Sequence, residues 1–330
     1  MRLGILLSPD PSATSVAAGF NDQIATARRA EEQGYSSVWI GESHFGTATP
    51  EPVPLVFGGA LAAETESIRL GVMVKLVLEH PVKIAEDAAV LDVMSGGRLL
   101  FGADPGASAE ECAGYGVQAA ERMPRFTEAL DIIVNAWTSD AFAYRGEYYT
   151  LPRETNAVGA GYVAEPYAPP YVDPWQRVDQ PFDYLSVLPK PAQIPRPPVF
   201  VVTDDDDAAE LAANNAYSPI LPESATLEQL VDRANAFWRA LDAAGRARSE
   251  TVLSIARGIY LHDAERSEAS VDENVIAGTP AEVLHHIKQL QHDTGLGQIL
   301  CRFDLPGVTS LQAARSLELF ASDVRSRLEM

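Results

Sequence analysis

Apolar and polar positions alternate along this chain in a repeated rhythm. Short apolar runs of strand character each precede a longer stretch whose apolar positions recur near every 3.6 residues. The run LGILLS (3–8) predicts a strand, and NDQIATARRAEEQG (21–34) a helix closed by Gly34. Strands follow at 36–41, 68–78 and 98–103, with helices at 53–65, 81–97 and 121–137. The helix at 81–97 opens on Pro81, where the ring fits a first turn, and ends at Gly96-Gly97. The second half repeats the order, with strands at 197–202, 216–221, 251–261 and 297–303. Its helices fall at 207–215, 226–245, 279–295 and 311–328. Eight strand–helix units in one chain of this length predict a closed (β/α)8 barrel, or TIM barrel, spanning 1–330 as a single domain. Functional groups are then expected on the loops that follow the C-terminal ends of the strands.

One segment departs from the rhythm. Residues 141–196, before the fifth barrel strand, are rich in Pro, Tyr and Gly. FAYRGEYYTL within them reads as a small hairpin. The remainder, centred on 152–187, has no period but carries Tyr162, Tyr167, Tyr171, Trp175, Phe182 and Tyr184. An insertion of this size is either a functional lid or interface arm, or a mobile surface loop. As a lid it would form an aromatic wall suited to a bulky organic substrate.

Composition narrows the function. The 330 residues are 46% apolar, enough for a large core, and carry a formal net charge of −21. So acidic a chain has no electrostatic attraction to nucleic acid or to an anionic membrane. No apolar run approaches the ~20 residues of a membrane span, and the N-terminus lacks a signal-peptide pattern, so a cytoplasmic protein is expected. The two cysteines, Cys112 and Cys301, stand far apart in no metal-spaced set. No His, Asp or Glu spacing argues for a metal either.

Several chemically capable side chains fall at predicted strand ends. Lys75 lies inside the apolar run GVMVKLVL, toward the end of the third strand. It reads either as an acid, base or electrostatic stabiliser, or as a lysine whose stem packs while its ammonium reaches water. Glu42, Glu79, His80 and Asp104 would share its face, and Arg257 in the seventh strand could pair with one of these acids. His44 reads either as an active-site group or as a loop histidine satisfied by a carboxylate such as Glu42. His285 and His286, mid-helix, read as surface or packing residues. After the fifth strand comes VVTDDDDAAELAANN, four consecutive carboxylates at a helix start. Asp is a good helix N-cap, and such an acidic first turn stabilises a helix.

The stretches AEEQGYSSVWIGESHF (30–45), SIRLGVMVKLVLEHPVKIAEDAAVLDVMSGGRLLFG (67–102), LPKPAQIPRPPVFVV (188–202) and AGTPAEVLHHIKQLQHDTGLGQILCRFD (277–304) resemble the bacterial luciferase-like flavin monooxygenases. The resemblance covers most of the chain and implies a (β/α)8 barrel with its cofactor at the C-terminal face. The cofactor it implies is reduced FMN or, in one branch, the deazaflavin F420. It also implies a homo- or heterodimer, a flavin reductase or a paralogous luciferase-like subunit as partner, and a small organic substrate. Val74, Ala103, Asp205 and Ala208 fall at its cofactor-binding positions.

At three sites the chain departs from the family pattern. Ser43 stands where the family has a catalytic histidine, and His44 matches the second histidine of its EHHF. Serine can donate a hydrogen bond but is no base near neutral pH. Asp104 and Pro105 replace a Cys-Arg pair whose guanidinium would hold an anionic flavin tail. Asp205 and Ala208 replace hydroxyl residues that hold the FMN phosphate at the helix N-terminus. The resemblance implies a reduced-flavin monooxygenase. The replaced positions imply a flavin-free member, either a non-catalytic partner subunit or a cofactor-independent enzyme of the cyclisation or dehydration type.

Overall fold

A computed structural model describes residues 1–8, 15–45, 51–152, 184–262, 272 and 274–328. In chain order the strands are β1 (Arg2–Leu6), β2 (Ser37–Ile40), β3 (Arg69–Lys75), β4 (Leu99–Asp104), β5 (Tyr144–Arg145), β6 (Thr150–Leu151), β7 (Val199–Val202), β8 (Ser218–Leu221), β9 (Ser254–Leu261), β10 (Ile276–Gly278) and β11 (Gln298–Arg302). The principal helices are α1 (Val16–Glu32), α2 (Pro54–Glu64), α3 (Pro81–Met94), α4 (Ala109–Tyr115), α5 (Arg122–Thr138), α6 (Asp206–Asn214), α7 (Leu227–Ala243), α8 (Pro280–Thr294) and α9 (Ser310–Leu319). The strands β1-β2-β3-β4-β7-β8-β9-β11 pair in parallel, and β11 pairs back with β1. The sheet is therefore a closed (β/α)8 barrel, as the periodicity predicts. A short β10 pairs in parallel beside the C-terminal end of β9.

Strand alternation sorts the apolar residues into two layers. One face of each strand turns inward and gives a compact cluster of Trp39, Met73, Leu100, Phe200, Ile220, Ala256 and Leu300. Trp39 dominates it and meets Phe200 edge-on at 5.0 Å. Its indole leaves no room on the next strand, where a Cβ at Gly71 would lie 2.0 Å from the ring. The other face, with Val72, Val74, Phe101 and Ala103, packs against the helices in the main core. The barrel is thus filled below its C-terminal mouth, and only residues at the very ends of the strands are free to do chemistry there.

The run MSGGR does its work at the opposite, N-terminal face. Arg98 donates to the carbonyls of Ala62, Thr65, Ile68 and Ser95 and to the Thr65 hydroxyl, at 2.8–3.0 Å. It therefore ties the end of α2 to the turn before β4. Buried Asp92 accepts from the backbone N–H and side-chain amide of Gln193, in the LPKPAQIPRPP run. Lys190 of the same run caps α5 through the carbonyls of Ala136 and Ser139, each at 2.7 Å. These two stretches, which carry much of the resemblance, are therefore structural clamps. Replacing Arg98 with Ala orphans several carbonyls at once and is expected to cost about 2–3 kcal/mol. Urea denaturation measures it, and Arg98→Lys should recover less than half, since one ammonium cannot reach all five acceptors.

The segment between α5 and β7 begins and ends in order. Tyr144–Arg145 and Thr150–Leu151 form the expected hairpin, and Phe142 pairs antiparallel with Leu185. The proposed lid core at 152–187 lies largely outside the described residues.

Candidate active site

The C-terminal mouth over β2, β3 and β4 gathers four acidic or basic groups supplied by three consecutive strands and the loop after the first. The β3–β4 register sets Lys75 opposite Asp104. Lys75 follows Met73 by two residues and Asp104 follows Leu100 by four, so both continue the inward-facing rows above the filled layer. β2 ends at Ile40, and the loop that follows places Glu42 and His44 beside them. One Glu42 oxygen accepts the Lys75 backbone N–H at 2.8 Å, and the other lies 2.6 Å from His44 Nε2. The side chains of His44 and Glu42 are 5% and 8% exposed, so the pair is closed off from bulk water. Burial pushes the Glu42 carboxyl above its ordinary range, opposed by its hydrogen bonds to His44 and to the Lys75 backbone.

Two further members come from α4, which the hydrophobic periodicity does not predict. Ser108 and Glu111 cap each other's backbone N–H groups at the start of this helix. The Glu111 carboxylate also takes both 2.7 Å hydrogen bonds from Lys75 Nζ and a 2.9 Å bond from the His44 backbone N–H. Burial works against ionising Glu111, but the Lys75 ammonium and these N–H donors outweigh it, and its carboxyl is held below the ordinary range. One helical turn on, the Tyr115 hydroxyl sits 3.0 Å from His44 Nδ1. The result is a continuous hydrogen-bonded line Tyr115–His44–Glu42, its phenol half exposed at the rim and its carboxylate buried within. The Ser108-x-x-Glu111 spacing is a capping-box signature that marks the helix in sequence. Nothing local marks Glu111 and Tyr115 as members of this cluster, because their partners lie on other elements.

Asp104 is half-buried at the end of β4 and accepts the Gly106 N–H at 2.7 Å. Burial pushes its carboxyl up to about 7, with the carboxylates of Asp204 and Glu42 adding to the rise and Lys75 opposing it. A carboxyl raised in the folded state stabilises the fold most below pH ~4, and that contribution is lost as pH rises toward 7. Asp104→Asn is therefore expected to remove on the order of 1–2 kcal/mol of the stability lost between pH 5 and pH 8. Urea midpoints of both proteins at the two pH values measure the difference.

The other expected residues stand apart from this cluster. Ser43 is exposed, with its hydroxyl accepting the Glu51 backbone N–H at 3.3 Å. His80 is the N-cap of α3 and accepts from the Val82 N–H. Arg257 does not pair with the mouth acids: fully buried in β9, it donates to the Glu223 carbonyl at 2.5 Å. His285 and His286 lie on the exposed face of α8. Val74 and Ala103 turn their side chains into the core between barrel and helices, so only their backbone borders the mouth.

At the start of α6 the four aspartates split in role. Asp205 is the N-cap, accepting the Ala208 N–H at 2.9 Å, and its second oxygen takes a 2.9 Å bond from Arg122 of α5. Arg122 also donates to the Pro105 carbonyl. Asp204, Asp206 and Asp207 are exposed, while Ala208 is buried. A flavin phosphate placed here would meet four carboxylates, an N–H already bonded and a guanidinium already paired. These residues do not fit a phosphate dianion.

The family model for luciferase-like monooxygenases matches residues 1–270. The oxygenase component of the flavin-dependent trigonelline monooxygenase of Acinetobacter baylyi is 28% identical, over 59% of this chain and 46% of its own. The F420-dependent glucose-6-phosphate dehydrogenase of Amycolatopsis mediterranei is 32% identical, over 40% of this chain and 42% of its own. The chain thus spans about half the length of the curated relatives it matches. In three dimensions it is similar to monooxygenase RslO1 from Streptomyces bottropensis, with a TM-score of 0.83, 23% identity, and coverage of 99% of this chain and 100% of the other.

Proposed function

The chain belongs to the luciferase-like monooxygenase family, and from that premise we propose that it is an oxygenase acting on a bulky organic molecule at the C-terminal mouth of its barrel. The observation that carries this reading is the closed acid–base line Tyr115–His44–Glu42 beside the Lys75–Glu111 pair. A buried imidazole bonded on both nitrogens can take a proton at Nδ1 from the phenol while passing one from Nε2 to Glu42. The half-exposed Tyr115 hydroxyl is the member placed to meet a substrate. Lys75 supplies fixed positive charge beside the mouth, where developing negative charge would be stabilised. In this reading reduced flavin, supplied by a separate reductase, visits as a diffusing co-substrate and provides the oxygen-activating chemistry.

The start of α6 favours a second reading. With Asp205 closing the phosphate position, the same acid–base groups would serve a flavin-free reaction such as cyclisation or dehydration, or the chain would act as partner to a flavin-binding paralogue. Anaerobic calorimetric titration with FMNH2, reduced riboflavin and reduced F420 separates the two. Binding of a reduced flavin at micromolar concentrations supports the oxygenase. Absence of binding by all three overturns it in favour of the flavin-free reading.

A further inference from the structure

Behind the loop 41–44, between α1 and α2, lies a cavity of about 360 Å³. It is outside the barrel. Its walls are Phe20 and Ile24 of α1, Ile40 of β2, and Val53, Phe57 and Ala60 at the start of α2. Phe20 and Phe57 approach at 5.0 Å with their rings tilted. Against these apolar walls stands one acidic side chain, Glu51, which lines the cavity and is only 7% exposed. Among the described residues its Oε1 has no hydrogen-bond partner, and its one side-chain neighbour of hydrogen-bonding type is Gln23. Among the described residues no cation reaches it.

A buried carboxylate oxygen without a donor is costly, and natural proteins rarely leave one so placed. Chance burial is a poor account of this one, because its own backbone is fixed. The Glu51 N–H donates to the Ser43 hydroxyl, and the Glu51 carbonyl accepts the Ser43 N–H at 3.1 Å. That short antiparallel bridge aims the Glu51 side chain away from the mouth and into the cavity. It also makes the segment 41–44 a shared wall: Gly41 borders the cavity, while Glu42 and His44 face the mouth.

We infer that this cavity is a binding site for a small aromatic or aliphatic amine, its ammonium paired with Glu51 and its apolar body held between α1 and α2. Size places the ligand at the small end of the range that protein pockets accept. Paired phenyl rings suit an aromatic body and add cation–π attraction for an ammonium near their faces. A chain of net charge −21 concentrates cations at its surface and disfavours anions. An alcohol could donate one hydrogen bond to Glu51, but only an ammonium supplies both the donor and the compensating charge. The inference rests on this cavity alone and stands whichever reading of the barrel mouth holds.

Three probes of similar shape test it by calorimetry on the full chain at pH 7.5: 2-phenylethylamine, 2-phenylethanol and 3-phenylpropanoate. The amine is expected to bind at least about tenfold more tightly than the alcohol or the carboxylate. Glu51→Gln keeps the shape and should bring amine and alcohol within about threefold of each other. Ala60→Trp, at an exposed position on the rim, should weaken amine and alcohol alike by about tenfold or more. Equal binding of amine and alcohol to the unaltered protein would overturn the inference and make Glu51 and Gln23 a neutral acid–amide pair. An amine preference that survives Glu51→Gln would overturn it too, since attraction by the overall charge would then be the cause.

Discussion

Replacing Asp204, Asp206 and Asp207 with Ser or Thr, together with Asp205→Ser and Pro105→Arg, is expected to raise FMN affinity at least about tenfold. Riboflavin, which lacks the phosphate, should change by no more than about threefold. The reason is local charge. One like-charge pair at ~4 Å costs roughly 4 kcal/mol at an effective dielectric near 20, and solvent screening around exposed carboxylates cuts that sharply. Retaining only ~1.4 kcal/mol of it already accounts for a factor of ten. Asp205→Ser alone should supply the largest single share. It removes the carboxylate that pairs with Arg122, and so frees a guanidinium beside the helix N-terminus. Serine keeps the N-cap, so the helix itself should lose little stability. FMN affinity that stays level in the full substitution, measured by fluorescence titration, would remove these carboxylates from the account of cofactor choice.

The barrel was legible because its signals are local. Each of the eight barrel strands is a short apolar run, each is followed by a stretch of helical period, and Pro81, Gly34 and Gly295 mark helix ends. Lys75, Asp104 and Glu42 could be placed on one face for the same reason, since strand ends share a face in any such barrel. The His44–Glu42 contact was legible, because the two residues share one loop, but the other pairings were not. Glu111 is separated from Lys75 by a strand and a helix, and Tyr115 lies 71 residues from His44. Closure of the barrel brings them together, and no local pattern encodes which carboxylate will meet which cation. Arg122 shows the same limit. Its helix is predicted correctly, yet its contact with Asp205 spans 83 residues, so the aspartate run reads in sequence as uncompensated charge. Arg98 errs in the other direction: part of a stretch that carries the family resemblance, it serves the far end of the barrel from the chemistry.

Lys75→Met is expected to destabilise the protein by about 3–5 kcal/mol and to abolish turnover, and the two losses have separable causes. The Glu111 carboxylate is 4% exposed and receives two of its hydrogen bonds from the Lys75 ammonium. Methionine fills the space of the lysine stem but leaves that carboxylate buried with backbone donors alone, from His44 and Ser108. A buried ion pair broken from one side costs far more than the pair contributes, because the remaining charge is stranded. Removing that charge should therefore reverse most of the damage. The double variant Lys75→Met/Glu111→Gln is expected to regain more than half of the lost stability in urea denaturation, since the Gln carbonyl still accepts from one backbone N–H. Turnover, followed as substrate-dependent oxygen uptake with reductase-supplied FMNH2, should stay absent in the double variant if the ammonium acts on the reacting molecule. Recovery of both stability and turnover would reduce Lys75 to a prop for α4. Recovery of neither would place the dependence on the Glu111 carboxylate itself, through the N–H of His44 that it holds.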